Sequence, residues 1–403
     1  MSRILLSFIC FFSVISGGSH GFSAESDAVR GFVNVEPFEL RVEALIRVDA
    51  FRERWRIEGE TIDAAEKSVV LDNLLTLLES GVTVAEEGRT IAFPDQSIQF
   101  VVRDEAKGYL PDERASIPVG EALVGVTLSA AESGIRSLDV DWFWFGPEQE
   151  KLVVEIASRG KPSARIVTPQ ATTFNWVQSG EISLPSLMPV PKLQLDETAP
   201  FKYLLFVAIA LFLFAIITVI KKKNLSPSWV WWLFLGALVL AFVSYKVRIE
   251  TVVMPGAETK EEIVYSLLRN TYHAFDFRDE SAIYDTLEKS VTGALLEKIY
   301  LEIYASLKLE NAGGPRVRVY EIALRDVAEA SSEDPDSFAS TAEWVTIGQI
   351  THWGHTHERT NRYEALITAS LSGREWKISA LDLLNEERVQ KVSRQSATPE
   401  PEE

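Results

Sequence analysis

Three histidines fall within six residues, His352, His355 and His357, in the run Thr351-His-Trp-Gly-His-Thr-His-Glu358. Neutral imidazoles ligate zinc or copper well, so the triplet reads as a metal site, with Glu358 an alternative third ligand to His352. Side chains alternate along a strand, which puts His355, His357, Arg359, Asn361 and Tyr363 on one face. His352 has the other parity and joins them only if the backbone bulges or turns near Gly354. A second reading makes that same row a recognition strip for an anion, a small ligand or a partner protein. Arg359 would supply charge and His355 a pH-sensitive donor. The third reading is a solvated hairpin. Thr356, Glu358, Thr360, Arg362 and Glu364 make the opposite face polar too, and the alternation turns apolar only from Ala365 through Ile367, Ala369 and Leu371. The remaining histidine outside the leader, His273, lies in a helical pattern beside Tyr272 and reads as packed or half-exposed.

Elsewhere the chemistry is sparse. The one cysteine, Cys10, sits in an apolar leader, so the rest of the chain has no disulfide, thiolate ligand or thiol nucleophile. Residues 25–181 contain no histidine, no Gly-rich phosphate loop and no nucleophile elbow, and no catalytic residues are identified. Trp142 and Trp144 put two rings on one face of a strand, either as a carbohydrate or peptide platform or as core. The formal net charge of -18 excludes nucleic acid as a partner, because phosphate neutralisation needs Lys and Arg.

The elements that must position these residues read as a multidomain membrane protein. Arg3 and the apolar run Ile4 to Ile15 resemble a secretory signal over residues 1–24. Residues 25–181 alternate apolar and polar in short segments, clearest at Leu40, Val42, Ala44, Ile46 and Val48. They imply a mainly-β sandwich, interrupted by one inserted helix over residues 62–80. A Pro-rich linker follows over 182–200. Residues 201–220 and 229–245 are nearly unbroken hydrocarbon, joined by a basic turn over 221–228. That pattern implies a two-helix transmembrane hairpin with the turn inside, in contact with the lipid bilayer. Localisation would then be multi-pass in an inner membrane, with both large domains periplasmic. Neither span carries a buried ionisable group of the kind that marks an ion pathway.

Residues 257–390 imply an α+β cone-like domain. Thr259-Lys-Glu-Glu262 has the capping-box form, and helices follow near residues 263–275, 281–287 and 294–309. Strands come next at 316–324, 343–352, 357–371 and 375–383. The acidic tail over 391–403 reads as disordered. Three helices before a curled antiparallel sheet, ending in Trp376-Lys-Ile-Ser-Ala-Leu-Asp-Leu-Leu384, resemble the nuclear transport factor two-like, or SnoaL-like, cone over about residues 259–388. The resemblance implies an enzyme, a protein-binding module or a ligand sensor. Enzymatic members place an Asp-His or similar pair in the cone, and no such pair is matched here. The function these observations imply is a non-enzymatic, membrane-anchored periplasmic binding or scaffold protein with an envelope partner. The alternatives are zinc or copper binding and a cone enzyme for an apolar substrate.

Overall fold

The computed structural model describes residues 27–104, 108–158, 161–180, 184–198, 202–221, 228–246, 249–311, 316–332 and 334–389. The expected signal, most of the basic turn and the acidic tail lie outside them. The chain forms two compact units. One takes in Met1–Pro189, Val264–Ser370 and Lys377–Glu403, the other Val190–Ile263 and Leu371–Trp376.

In chain order the first elements are β1 (Val29–Glu36), β2 (Glu39–Arg47), α1 (Arg52–Trp55), β3 (Thr61–Ile62), α2 (Ala64–Gly81), β4 (Val82–Glu86) and β5 (Arg89–Thr90). Next come β6 (Asp95–Asp104), β7 (Gly108–Pro111), β8 (Ile117–Pro118), β9 (Leu123–Ala130), β10 (Ser137–Trp142), β11 (Leu152–Ser158), β12 (Lys161–Val167) and β13 (Thr173–Val177). They build a seven-stranded sheet ordered β12-β11-β1-β2-β9-β6-β7 and a four-stranded sheet ordered β13-β10-β4-β5. The alternation in β2 drives the pairing. Val33 and Val42 meet across the β1–β2 ladder, and Val42 meets Leu128 across β2–β9. All three side chains point into one core shared with Val84, Val140 and Phe174 of the smaller sheet. Trp142 and Trp144 belong to that core and meet edge to face at 5.4 Å, with Trp142 Nε1 donating to the Trp144 carbonyl. Their rings occupy the space where Gly31 and Gly81 have no Cβ. Helix α2 opens on Asp63, which accepts from the Ala65 and Glu66 amides while Glu66 reaches back to the Asp63 N–H, a capping box.

The second unit holds α3 (Lys202–Lys221) and α4 (Ser228–Lys246), flanked by the paired strands β14 (Gln194–Thr198) and β15 (Ile249–Val253). Ala208, Ala215 and Ala237 are buried, and Phe212 meets Phe234 edge to face at 5.2 Å where the helices pack. Phe206, Phe214, Trp231 and Trp232 are exposed. The two helices correct the expected membrane hairpin. A crossing needs about 20 consecutive apolar residues. Helix α3 has 20 residues with a lysine at each end, and α4 has 19 between Ser228 and Lys246, so the apolar run inside each is shorter than the helix. Among the described residues no helix is long and apolar enough to cross a membrane. The expected bilayer contact through two helices and the multi-pass inner-membrane placement rested on that hairpin and fall with it.

The rest of the chain gives α5 (Ala257–His273), α6 (Glu280–Glu288) and α7 (Gly293–Asn311). A four-stranded antiparallel sheet follows: β16 (Arg316–Ala330), β17 (Ser337–His352), β18 (His355–Ser372) and β19 (Glu375–Arg388), in that spatial order. Helix α5 begins at Ala257, so Thr259 lies inside its first turn and is not the cap that the sequence pattern implied. Strand β16 shifts register between Val319 and Glu321 and again between Leu324 and Asp326. Such bulges bend a sheet.

Candidate functional site

Strand β2 is where the fold departs from a half-solvated sandwich. Its inward residues fill the core, yet Glu39, Arg41 and Glu43 on the other face are also buried. The carboxy-terminal half of the same unit lies on them. The Glu39 carboxylate takes Arg316 Nε at 2.9 Å, Arg278 Nε at 3.4 Å and the Ser129 hydroxyl at 2.6 Å. Both arginines also bind Glu310, Arg316 at 3.0 Å. Arg41 and Glu43 pair at 3.0 Å beside them. Burial alone would raise the Glu39 carboxyl, but Arg316, Arg278 and Arg41 outweigh it and hold the pKa at about 2. Glu43 goes the other way. Burial is its largest influence and pushes it up, against Arg41 and an N–H from Trp353. Burial likewise lowers Arg278, whereas at Arg316 the carboxylates of Glu310, Glu39 and Asp276 overcome burial and raise it. Around this centre Arg318 pairs with Glu36, Asn311 donates to Asp95 at 3.0 Å, and Phe38 packs on His273 and Phe277. His273 is partly buried, with Nδ1 2.9 Å from Asp276.

The histidine run forms the tip of the β17–β18 hairpin. Trp353 and Gly354 are the two turn residues, at φ 40° and 74°. Positive φ at both central positions is the two-residue hairpin turn whose twist matches its strands, and a tryptophan there is strained. Its ring is buried against Phe32, Leu45, Val101 and Tyr109 on the outer face of the large sheet. Gly125 makes room: a Cβ there would lie 2.5 Å from the Trp353 ring. The hairpin tip therefore ends in protein.

A narrow cavity lies between α5, α7 and the four-stranded sheet. Its space for water centres is about 40 Å³, room for about three waters. Leu268, Leu295, Ile299, Ile378 and Leu381 form apolar walls, with Trp344, Tyr363 and Tyr272 among them. Trp344 stacks on Tyr363 with centroids 5.4 Å apart and donates Nε1–H to the Tyr272 hydroxyl at 3.3 Å. Burial raises both tyrosines above the ordinary phenol value, so they stay protonated at neutral pH. Among the described lining residues there is no carboxylate and no histidine.

The residues singled out from sequence divide between these places. Arg359 donates Nε–H to Asn361 Oδ1 at 3.0 Å, and Asn361 donates Nδ2–H to the Tyr363 hydroxyl at 2.7 Å. This row runs inward: Arg359 is half-buried, Asn361 and Tyr363 are buried, and Tyr363 lines the cavity. The ladder pairs His352 with His355 and Ile350 with His357. The side chains of His352, His355 and His357, the suggested zinc or copper ligands, lie outside the described ones. Among the described residues no group of three His, Cys, Asp or Glu could hold a metal ion. Sequence reasoning missed Tyr272, Trp344 and Leu268, and the Glu39–Arg278–Glu310–Arg316 cluster. The available signal was β2 itself, charged along one face in mid-sheet.

No protein-family description matches the chain, and no curated protein does. Among solved structures, the crystal structure of the intermembrane space region of chloroplast protein ARC6 is similar at 16% identity, covering 32% of this chain and 98% of that one. Its TM-score is 0.26, and a likeness that slight carries no argument.

Proposed function

We propose that this is a non-enzymatic recognition protein whose α+β half takes a small apolar ligand into the cavity between α5, α7 and the sheet. The observation that carries this reading is the lining: apolar walls, a stacked Trp344–Tyr363 pair, and phenols held protonated by burial. A buried charge on a ligand would meet no counter-charge among the described lining residues, and desolvation would oppose its entry. Proton transfer at neutral pH calls for a group poised near that pH, and raised phenols are poorly matched to it. The cone resemblance fits a ligand-binding role and adds no residue to it.

The test uses the full chain and xenon, a single apolar atom that suits a cavity too small for an aromatic ring. A ligand that binds only the folded state raises the melting temperature, by about 2.7 kcal/mol of stabilisation at a hundredfold excess over Kd. Xenon under pressure is expected to stabilise the unaltered chain and to leave Thr271→Leu, in which the larger side chain takes up the cavity, unmoved. Equal shifts in both chains, or no shift in the unaltered one, would sink the reading.

A further inference from the structure

We propose that the face of α5 carrying Ser266 and Asn270 is a recognition site for an extended, proline-flanked peptide, occupied in cis by residues 184–189. The sequence there is Leu184-Pro-Ser-Leu-Met-Pro189. Asn270 is buried and reads one residue of that segment at two points. Its Oδ1 accepts the Met188 N–H at 2.6 Å, and its Nδ2 donates to the Met188 carbonyl at 2.9 Å.

The chemistry of the pairing is specific. A primary amide carries one acceptor and donors side by side, and an extended residue turns its own N–H and C=O to the same side. A residue that precedes proline favours extended backbone, which suits Met188, before Pro189, to this pairing. Pro185 and Pro189 have no N–H, so they leave no donor to be satisfied along the strap. Arg269 adds a contact to the ligand side chain, with Nη1 4.0 Å from Met188 Sδ.

A second observation comes from Ser266. It lies one helical turn before Asn270 and therefore on the same side of α5. It is fully buried, and no described residue pairs with its hydroxyl. A buried, unpaired hydroxyl beside a bidentate amide marks a face equipped for more polar recognition than the cis strap uses. The strap itself is mostly exposed or half-exposed on its other sides. It is thus held chiefly at Met188, and the same sequence presented in trans meets the same chemistry.

The probe is a labelled synthetic peptide, Leu-Pro-Ser-Leu-Met-Pro-Val, followed by fluorescence anisotropy on the full chain. In the unaltered chain the cis strap competes at a millimolar effective concentration. Met188→Pro removes the N–H that Asn270 accepts and releases the strap. The peptide is expected to bind that chain at least about tenfold more tightly than the unaltered one, and adding Asn270→Leu should abolish the gain. Equal binding to both chains, or none to a Met188→Pro chain with an unchanged circular dichroism spectrum, overturns the proposal. Should Met188→Pro fail to fold, hydrogen exchange of the Met188 amide in the unaltered chain decides. Millimolar peptide must accelerate it, and an unchanged rate overturns the proposal.

Discussion

Glu39→Gln removes one charge from the buried cluster with almost no change in shape. Its effect has a size and a pH window. In the folded chain the Glu39 carboxyl titrates at about 2, against an ordinary 4.5. That difference is worth about 3 kcal/mol, at about 1.4 kcal/mol for each tenfold change in proton affinity. Because the folded value is the lower one, this stability is complete above about pH 4.5. It drains away as the pH falls toward 2. At pH 7 the substitution leaves Glu310 as the carboxylate that Arg278 and Arg316 share, with Asp276 acting on Arg316 as well, and stripping one partner from a buried ion pair costs about 3–5 kcal/mol. The retained amide can still meet the Ser129 hydroxyl, so the lower end of that range is expected. Denaturant unfolding at pH 7, 5 and 3, followed by tryptophan fluorescence, should show the unaltered chain losing stability steeply on acidification and the variant much less. The opposite drift from Glu43, whose raised carboxyl favours the folded state as the pH falls, is present in both chains and smaller in the variant, because the Glu39 charge is one of its causes beside burial. Parallel acid limbs for the two proteins would refute the argument.

Two further outcomes follow from named contacts. Trp353→Ala empties a buried site on the outer face of the large sheet and should cost about 3–5 kcal/mol, with no relief at the positive φ because alanine keeps the Cβ. Denaturant unfolding gives the loss, and hydrogen exchange should quicken first at the β17–β18 tip. Asp63→Ala deletes the capping box of α2 and should cost about 1 kcal/mol. A loss within error of zero by thermal unfolding would show that packing alone fixes the start of the helix.

The parts of this fold legible in the sequence are those specified by neighbours along the chain. The spacing of Leu295, Leu296, Ile299, Ile303 and Leu307 marks α7, and all five are buried. The alternation from Leu40 to Val48 marks β2 and its inward face. What alternation could not reveal is the fate of the outward face. Glu39, Arg41 and Glu43 look like a solvated row until Arg278, Glu310 and Arg316, more than two hundred residues on, are brought over them. The burial of the hairpin turn was hidden for a related reason. A strand polar on both faces reads as projecting into water, and Trp353 beside Gly354 was the dissenting residue. Large aromatics seldom end an exposed turn, and this one anchors the hairpin in the sandwich. The apolar runs after residue 200 do form helices, but apolarity alone overstated them as membrane spans.

The contact between the sandwich and the α+β half combines two kinds of interaction with different effects. Buried ion pairs contribute little net stability, because desolvation offsets most of their attraction, but they are intolerant of misalignment. Trp353 and the apolar residues around it supply burial, which is favourable over a wide range of geometries. The division suggests that the tryptophan holds the halves together while Glu39, Arg278, Glu310 and Arg316 set their register. That register reaches the cavity. Helix α5 ends at His273 against Phe38, α7 ends at Glu310 and Asn311 against Arg278, Arg316 and Asp95, and β17 and β18 end at the buried turn. Those same elements supply Tyr272, Ile299, Trp344 and Tyr363 to the cavity wall. The walls made by α5, α7, β17 and β18 are therefore clamped at one end by the sandwich, so a change that loosens the clamp should alter the cavity without touching a lining residue.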